Sequence, residues 1–306
     1  MRILLAVNGL ALVLVACTSL TTPAPQEQPS PPDPTRVETP QGPDFDTPEP
    51  TPLPPPTPTP FPTAQPDDPD WDDPAQGVER RDVTVLEPRS GAYVRLHMVR
   101  LDPGLIDFRV LYDRGKVGTV TSWQAETGAL LVVNGGFFDA QLTKQGLTLV
   151  NGQAYGSLRD YTESVGVGGL FAVKDSRVSI VALDRKPASP DKYDFDFATE
   201  AYPMLLTEGG EPAFDQETGH TAKRTVVAMD RSGRVVFIII QEDAFTLYEL
   251  GQALAELEEL DLDVALNLDG GTSSGMVVKA GSTFEPFYSE TALPIVITAY
   301  PKDVAE

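Results

Sequence analysis

The chain has 306 residues, with 29 prolines, 45 acidic against 23 basic side chains, two histidines, one cysteine and a formal net charge of −22. That inventory excludes zinc fingers, four-cysteine sites, three-histidine catalytic zinc and a disulfide framework, so chemistry falls to carboxylates, amides, hydroxyls, arginine and the backbone. The acidity extends beyond the proline-rich part and leaves no basic stripe to neutralise phosphates, which argues against nucleic acid as a partner.

Met1-Arg2 followed by the apolar run Ile3 to Ala16 predicts a secretory signal peptide over residues 1–16, too short to span a bilayer core of about 30 Å. The run ends Leu14-Val15-Ala16-Cys17, which resembles the lipobox of bacterial lipoproteins. The lone cysteine stands where lipidation needs it; an ordinary signal peptide with a chance cysteine is the alternative. Acyl chains contribute roughly 0.8 kcal/mol per buried CH2, so two or three anchor a protein stably. The expected location is the cell envelope, lipid-anchored and facing outside the cytoplasm.

Residues 21–75 hold 20 of the 29 prolines, eleven acidic residues and a single arginine, and lack the apolar periodicity of a packed core. Residues 17–80 are therefore read as an extended linker of polyproline II character. It serves either as a spacer or as a ligand for a proline-binding module. Trp71, among Asp67, Asp68, Asp70, Asp72 and Asp73, suggests packing of the linker end on the domain. The remainder, 81–306, suffices for one domain with a large core.

Within it, Val83–Leu86, Tyr93–Leu101 and Ile106–Leu111 read as strands, being β-branched and aromatic with partial alternation. Thr121 with Gln124 predicts a capping box and a short helix that Gly128 stops. Ala129–Val133 is an apolar strand entering Asn134-Gly135-Gly136-Phe137-Phe138-Asp139. Leu147–Ala154 predicts a hairpin about Asn151-Gly152, and Val165–Val173 with Arg177–Leu183 another about Lys174-Asp175. Arg224–Met229 and Val235–Gln241 form a third, its second strand apolar enough to be central.

Thr246 and Glu249 predict a capping box for a helix with Leu247, Leu250, Leu254 and Leu257 on one stripe. A buried strand, Val264–Leu268, then runs into Asp269-Gly270-Gly271-Thr272-Ser273-Ser274. Strand, helix and strand in that order predict a crossover and a locally parallel pair.

Both glycine loops follow apolar strands, and each brings an Asn, an Asp and successive backbone N–H groups to a strand end, where glycine allows close approach. The second loop is either an anion-binding nest or an ordinary turn, and it lacks the lysine of a nucleotide-binding loop. The NGGFFD segment, then Lys223-Arg224-Thr225 before a strand, then Asn267-Leu268-Asp269-Gly270-Gly271-Thr272-Ser273-Ser274, resemble the successive motifs of the phosphodiester glycosidase family. The resemblance runs roughly from Val94 to Tyr300. This chain departs from the family pattern at Tyr202-Pro203, at Gln241-Glu242-Asp243, and at Thr272, where a third glycine is common.

The resemblance implies a mixed fold and hydrolysis at a sugar-1-phosphodiester. The expectation is a single α+β domain: a mixed, β-rich core, either a sheet or a partly closed barrel, with a few helices. Breaking an anomeric C–O bond creates oxocarbenium character that a carboxylate stabilises, while phosphate is already a good leaving group. Asp269 or Asp139 is accordingly assigned as nucleophile, base or stabiliser, Arg224 as phosphate clamp, and Asn134 and Asn267 as hydroxyl positioners. Gly135, Gly136, Phe138, Gly270, Gly271, Thr272 and Ser273 would line the substrate, and Glu242 and Asp243 are second-rank acid/base candidates.

Each assignment has a structural counterpart: Asp269 as a turn cap, Asp139 as a solvated loop charge, Arg224 in an ion pair, Glu242 and Asp243 at a helix N-terminus. His220, in a polar stretch, is read as surface and His97 as structural. Asp139, Asp269 and the Asn side chains are also oxygen donors of the kind Ca2+ or Mg2+ takes. A carbohydrate phosphodiester is the expected partner in an anchored hydrolase; the alternative is a non-catalytic glycan-binding or envelope-organising lipoprotein.

Overall fold

A computed structural model describes residues 70–187 and 189–302; the signal peptide, Cys17 and most of the linker expected from the sequence lie outside them. In chain order the elements are β1 (Asp72–Ala75), β2 (Val78–Leu86), β3 (Tyr93–Leu101), β4 (Ile106–Tyr112), α1 (Val120–Thr127), β5 (Leu131–Asn134), β6 (Thr148–Val150), β7 (Gln153–Tyr155), β8 (Gly169–Lys174), β9 (Arg177–Ala182), β10 (Phe197–Ala201), β11 (Met204–Thr207), β12 (Glu211–Pro212), β13 (Ala222–Asp230), β14 (Val235–Phe245), α2 (Leu247–Glu256), β15 (Leu262–Asn267), β16 (Met276–Ala280), β17 (Thr283–Phe287) and β18 (Ile295–Pro301).

They form three sheets, ordered β1-β2-β3-β14-β13-β15-β11-β12, β7-β6-β10-β8-β9 and β17-β16-β5-β18-β4. Alternation along single strands explains the layering, because successive side chains leave opposite faces. On β14, Val235, Phe237 and Ile239 enter a core shared by all three sheets, while Val236, Ile238 and Ile240 join a second core with Leu250, Ala253 and Leu254 of α2. On β5, Leu131 and Val133 face the shared core and Val132 meets Val120 and Trp123 of α1. The sheets converge at Phe237, Phe171 and Phe108, one from each, with ring centroids 6.2 to 6.5 Å apart. Helix α2 starts as its sequence dictates, with the Thr246 hydroxyl accepting from Glu249 N and the Glu249 carboxylate from Thr246 N.

Of the two arrangements expected for the core, the described residues show the sheet and not the barrel: none of the sheets closes. Three sequence expectations require correction. The strands flanking α2, β14 and β15, are not a parallel pair: β13 lies between them, antiparallel to both. The β13–β14 hairpin pairs locally, so the chain leaving α2 finds its open edge on the far side of β13. Helix α1 is capped by Thr119, which accepts from Ser122 N, rather than by Thr121, although Gly128 ends it at φ +67° as expected.

The last correction concerns the boundary at residue 81, because strand pairing already begins at Asp72 and Val78. Trp71 accounts for the early start. Its ring lies 3.9 Å from the Arg100 guanidinium, which Glu79 holds by two hydrogen bonds of 2.6 and 2.8 Å, and it packs on the core beneath α2.

Candidate active site

The two glycine loops meet although their strands belong to different sheets. Asp269 N donates to Gly135 O at 3.1 Å and Leu268 N to Thr225 O at 2.9 Å. The amide of Asn134, 1% exposed, fastens the junction. Its Oδ1 accepts from Thr225 Oγ1 at 2.8 Å and Gly275 N at 3.1 Å, and its Nδ2 donates to Asp269 O at 2.7 Å. Asn134, expected as a hydroxyl positioner, is a strut beneath the second loop in this structure. The neighbouring glycines serve the same closeness: a Cβ at Gly135 would lie 2.7 Å from Ile295 Cγ2, and one at Gly136 2.2 Å from Glu200 O. Protein, not ligand, fills that space.

Asp269 emerges from this junction. Its Oδ1 accepts from Gly270 N at 2.9 Å, and the Ser273 hydroxyl also bonds its carboxylate. Burial nevertheless pushes the carboxyl up to about 6, against those two donors, because a charge loses more by desolvation than these bonds return. Arg224, 7% exposed, lies alongside: a Cβ at Gly270 would be 3.9 Å from its Nη1 and 2.9 Å from Lys223 O. Its Nε and Nη2 donate to Phe245 O at 3.2 Å, and Nη2 to His220 O at 2.6 Å. It forms no carboxylate ion pair among the described residues. Burial pushes its guanidinium down to about 10, opposed by the Asp243 charge.

A bulge orients Arg224. Ala222 pairs with Phe245 but Arg224 with Ile240, so extra residues of β14 bow outward, as bulges do beside functional sites. Glu242 and Asp243, the second-rank acid/base candidates, lie on that exposed bow and not in the first turn of α2, and Asp243 Oδ1 accepts from Lys223 N at 2.9 Å.

The remaining expectations divide. Asp139 folds on itself, its Oδ1 accepting from Gln141 N at 3.0 Å and Thr143 N at 2.9 Å, which is the turn-stabilising use of aspartate. Phe138 packs on the core beneath α1. Gly271 adopts φ +60° with open space where a side chain would stand, and Thr272 is exposed beside it. Asn267 Nδ2 donates to Tyr202 O at 2.8 Å, whereas its Oδ1 and the hydroxyls of Ser274 and Ser289 are buried without a protein partner. His220 is exposed and contributes only its carbonyl. His97 Nδ1 lies 2.9 Å from Asp82 Oδ1, with its ring against Phe287, a structural placement.

Among the described residues no group of three or more His, Cys, Asp and Glu side chains could hold a metal ion. Of the oxygens considered for Ca2+ or Mg2+, those of Asn134 and Asp139 (Oδ1) already face N–H or O–H donors, whereas Asn267 Oδ1 has no partner among the described residues.

Sequence reasoning missed Glu200 and Lys144. Glu200, 2% exposed, accepts from Leu147 N at 2.6 Å, Arg159 N at 2.9 Å and the Tyr161 hydroxyl. Tyr161 stacks on Tyr202 at 5.4 Å, whose carbonyl holds Asn267. The available signal was a lone acid inside the strand Phe197–Ala201.

Comparison with known proteins decides the family, since the phosphodiester glycosidase family model matches residues 127–299. The chain belongs to the phosphodiester glycosidase family. Its fold is also that of a zebrafish N-acetylglucosamine-1-phosphodiester alpha-N-acetylglucosaminidase catalytic domain auto-inhibited by pro-peptide, at TM-score 0.55 and 16% identity over 78% of this chain and 86% of that one. A hypothetical protein from Synechocystis is similar at TM-score 0.53 and 15% identity, over 80% and 69%. No curated protein matches. The family match contains the two glycine loops, Arg224 and the bulged strand of this phosphodiester glycosidase-family domain.

Proposed function

We propose that this chain hydrolyses the anomeric C–O bond of sugar-1-phosphodiesters in envelope or extracellular glycans, giving a free sugar and a phosphate monoester. The observation that carries the reading is Arg224, a buried guanidinium that forms no carboxylate ion pair among the described residues, beside the turn that bears Asp269. A buried cation whose hydrogen bonds go only to carbonyl oxygens is costly, and a phosphodiester is an anion that its remaining donor, Nη1, suits. Asp269 in its ionised form stabilises or attacks the developing oxocarbenium centre, and phosphate departs without acid assistance. Ser273 and Gly270 N–H hold the carboxylate in place.

The test is sugar release from a panel of sugar-1-phosphodiesters. Turnover of at least one is expected, whereas binding without release throughout the panel would leave a glycan-binding lipoprotein as the account. In this reading Cys17 carries the lipid and the proline-rich linker spaces the domain from the membrane. Cys17→Ser should shift the protein from membrane to soluble fractions; retention in membranes with Cys17 unmodified would contradict the anchor.

A further inference from the structure

The NGGFFD segment has a second end that the proposed chemistry does not use. Gly135 O accepts from Asp269 N, while Phe138 pairs in an antiparallel bridge with Lys144. Gly135 to Phe138 is three steps of chain, at most roughly 11 Å when extended, so a short span of chain links the Lys144 loop to the Asp269 turn. There a cavity of about 680 Å³ opens between the turn after β4, the loop around Lys144 and the end of β7.

Its charge is unusual for this protein. The chain carries a net −22, yet among the described residues the charged side chains lining the cavity are Arg114 and Lys144. Arg114 is exposed and makes no hydrogen bond or ion pair among the described residues. Lys144 is 9% exposed; its Nζ donates to Gly146 O and occupies the place a side chain on Gly156 would take, 2.0 Å from a Cβ there. Gly156, at φ +73°, thus leaves room for the ammonium. Burial pushes Lys144 down to about 8, helped by Arg114 and opposed by Glu200. Tyr112 and Tyr155, edge to face at 5.3 Å, form the aromatic wall.

We propose that this cavity is a second anion-binding subsite, which takes a phosphate of the same glycan other than the one at Arg224, so that preferred substrates carry more than one phosphate, as a sugar-phosphate polymer does. The inference rests on the proposed phosphodiester cleavage for its substrate, but not for the existence of the site. A guanidinium fork and an ammonium together are a phosphate-binding pair, and the cavity's volume of about 680 Å³ exceeds that of an isolated ion.

Arg114→Ala tests it, because an exposed side chain that makes no hydrogen bond or ion pair among the described residues can be removed with little effect on the fold. Two substrates of the same sugar are compared: a methyl phosphodiester, and a phosphodiester whose aglycone bears a second phosphate. The wild type should favour the second by about tenfold or more in kcat/KM, and Arg114→Ala should abolish most of that preference while leaving the methyl substrate unchanged. Equal loss on both substrates, or no preference in the wild type, overturns the subsite. A carboxylate in place of the second phosphate should give a smaller gain, and an equal gain overturns the phosphate assignment. If no sugar-1-phosphodiester is turned over, the cleavage reading fails, and the subsite is then judged by titrating inorganic phosphate into wild type and Arg114→Ala. Loss of one binding event in the variant supports it; identical isotherms refute it.

Discussion

Asp269→Asn should lower kcat by about 10²-fold or more while substrate binding persists, because it keeps shape and removes the charge that meets the anomeric centre. The same variant should be more stable than the wild type. Asp269 has its folded pKa raised to about 6 from 3.8, so between those values the native state binds more protons than the unfolded chain, and stability falls as pH rises through that window. Above pH 6 the charged carboxylate is a net cost, at most roughly 3 kcal/mol for a shift of that size and less after solvent screening at a partly exposed group.

Asp269→Asn should therefore raise Tm by about 2–6 °C at pH 7.5, with the gain vanishing below pH 4. The wild-type kcat should rise with pH through about 6, since the ionised form is the working one. Calorimetry and a pH–rate profile check both. A stabilised variant with parent activity would move the chemistry to another carboxylate, and a rate that falls above pH 6 would make Asp269 a general acid.

Asn134→Ala should be the most destabilising single change near the site. It strands Thr225 Oγ1, Gly275 N and Asp269 O, three groups that Asn134 alone joins across the loops. An unsatisfied buried group costs about 1–3 kcal/mol, so a loss of about 3–5 kcal/mol is expected, some 6–20 °C in Tm, with activity falling through displacement of the Asp269 turn. Denaturation without any substrate measures it. A variant with the parent Tm and only a raised KM would show that Asn134 touches sugar instead of holding the loops.

The sequence made the local elements legible and the site only in outline. Alternation and capping located β14 and α2, because Val235–Ile240 fills two cores and Thr246 with Glu249 closes its box within one turn. Both glycine loops and Arg224 were visible as motifs. What the motifs concealed is the use of their residues. Asn134, Gly135 and Gly136 look like ligand contacts from spacing alone, yet their partners, Thr225, Ile295 and Glu200, come from distant strands. Strand order was similarly hidden: nothing in the run from β14 through α2 to β15 states that β13 will stand between them. Glu200 and Lys144 escaped because burial of a charge depends on tertiary surroundings that no local pattern encodes.

The most direct test of the central claim is the ratio of kcat/KM for a sugar-1-phosphodiester to that for a phosphate-free glycoside of the same sugar, in wild type and Arg224→Lys. The lysine keeps the charge but loses the guanidinium, whose Nε and Nη2 are anchored on the Phe245 and His220 carbonyls and whose Nη1 is left to meet phosphate. The account predicts that Arg224→Lys lowers the phosphodiester value by about tenfold or more, leaves the phosphate-free glycoside near its parent value, and so collapses the ratio. An unchanged ratio, with both substrates weakened equally, would make Arg224 a structural cation and contradict the account.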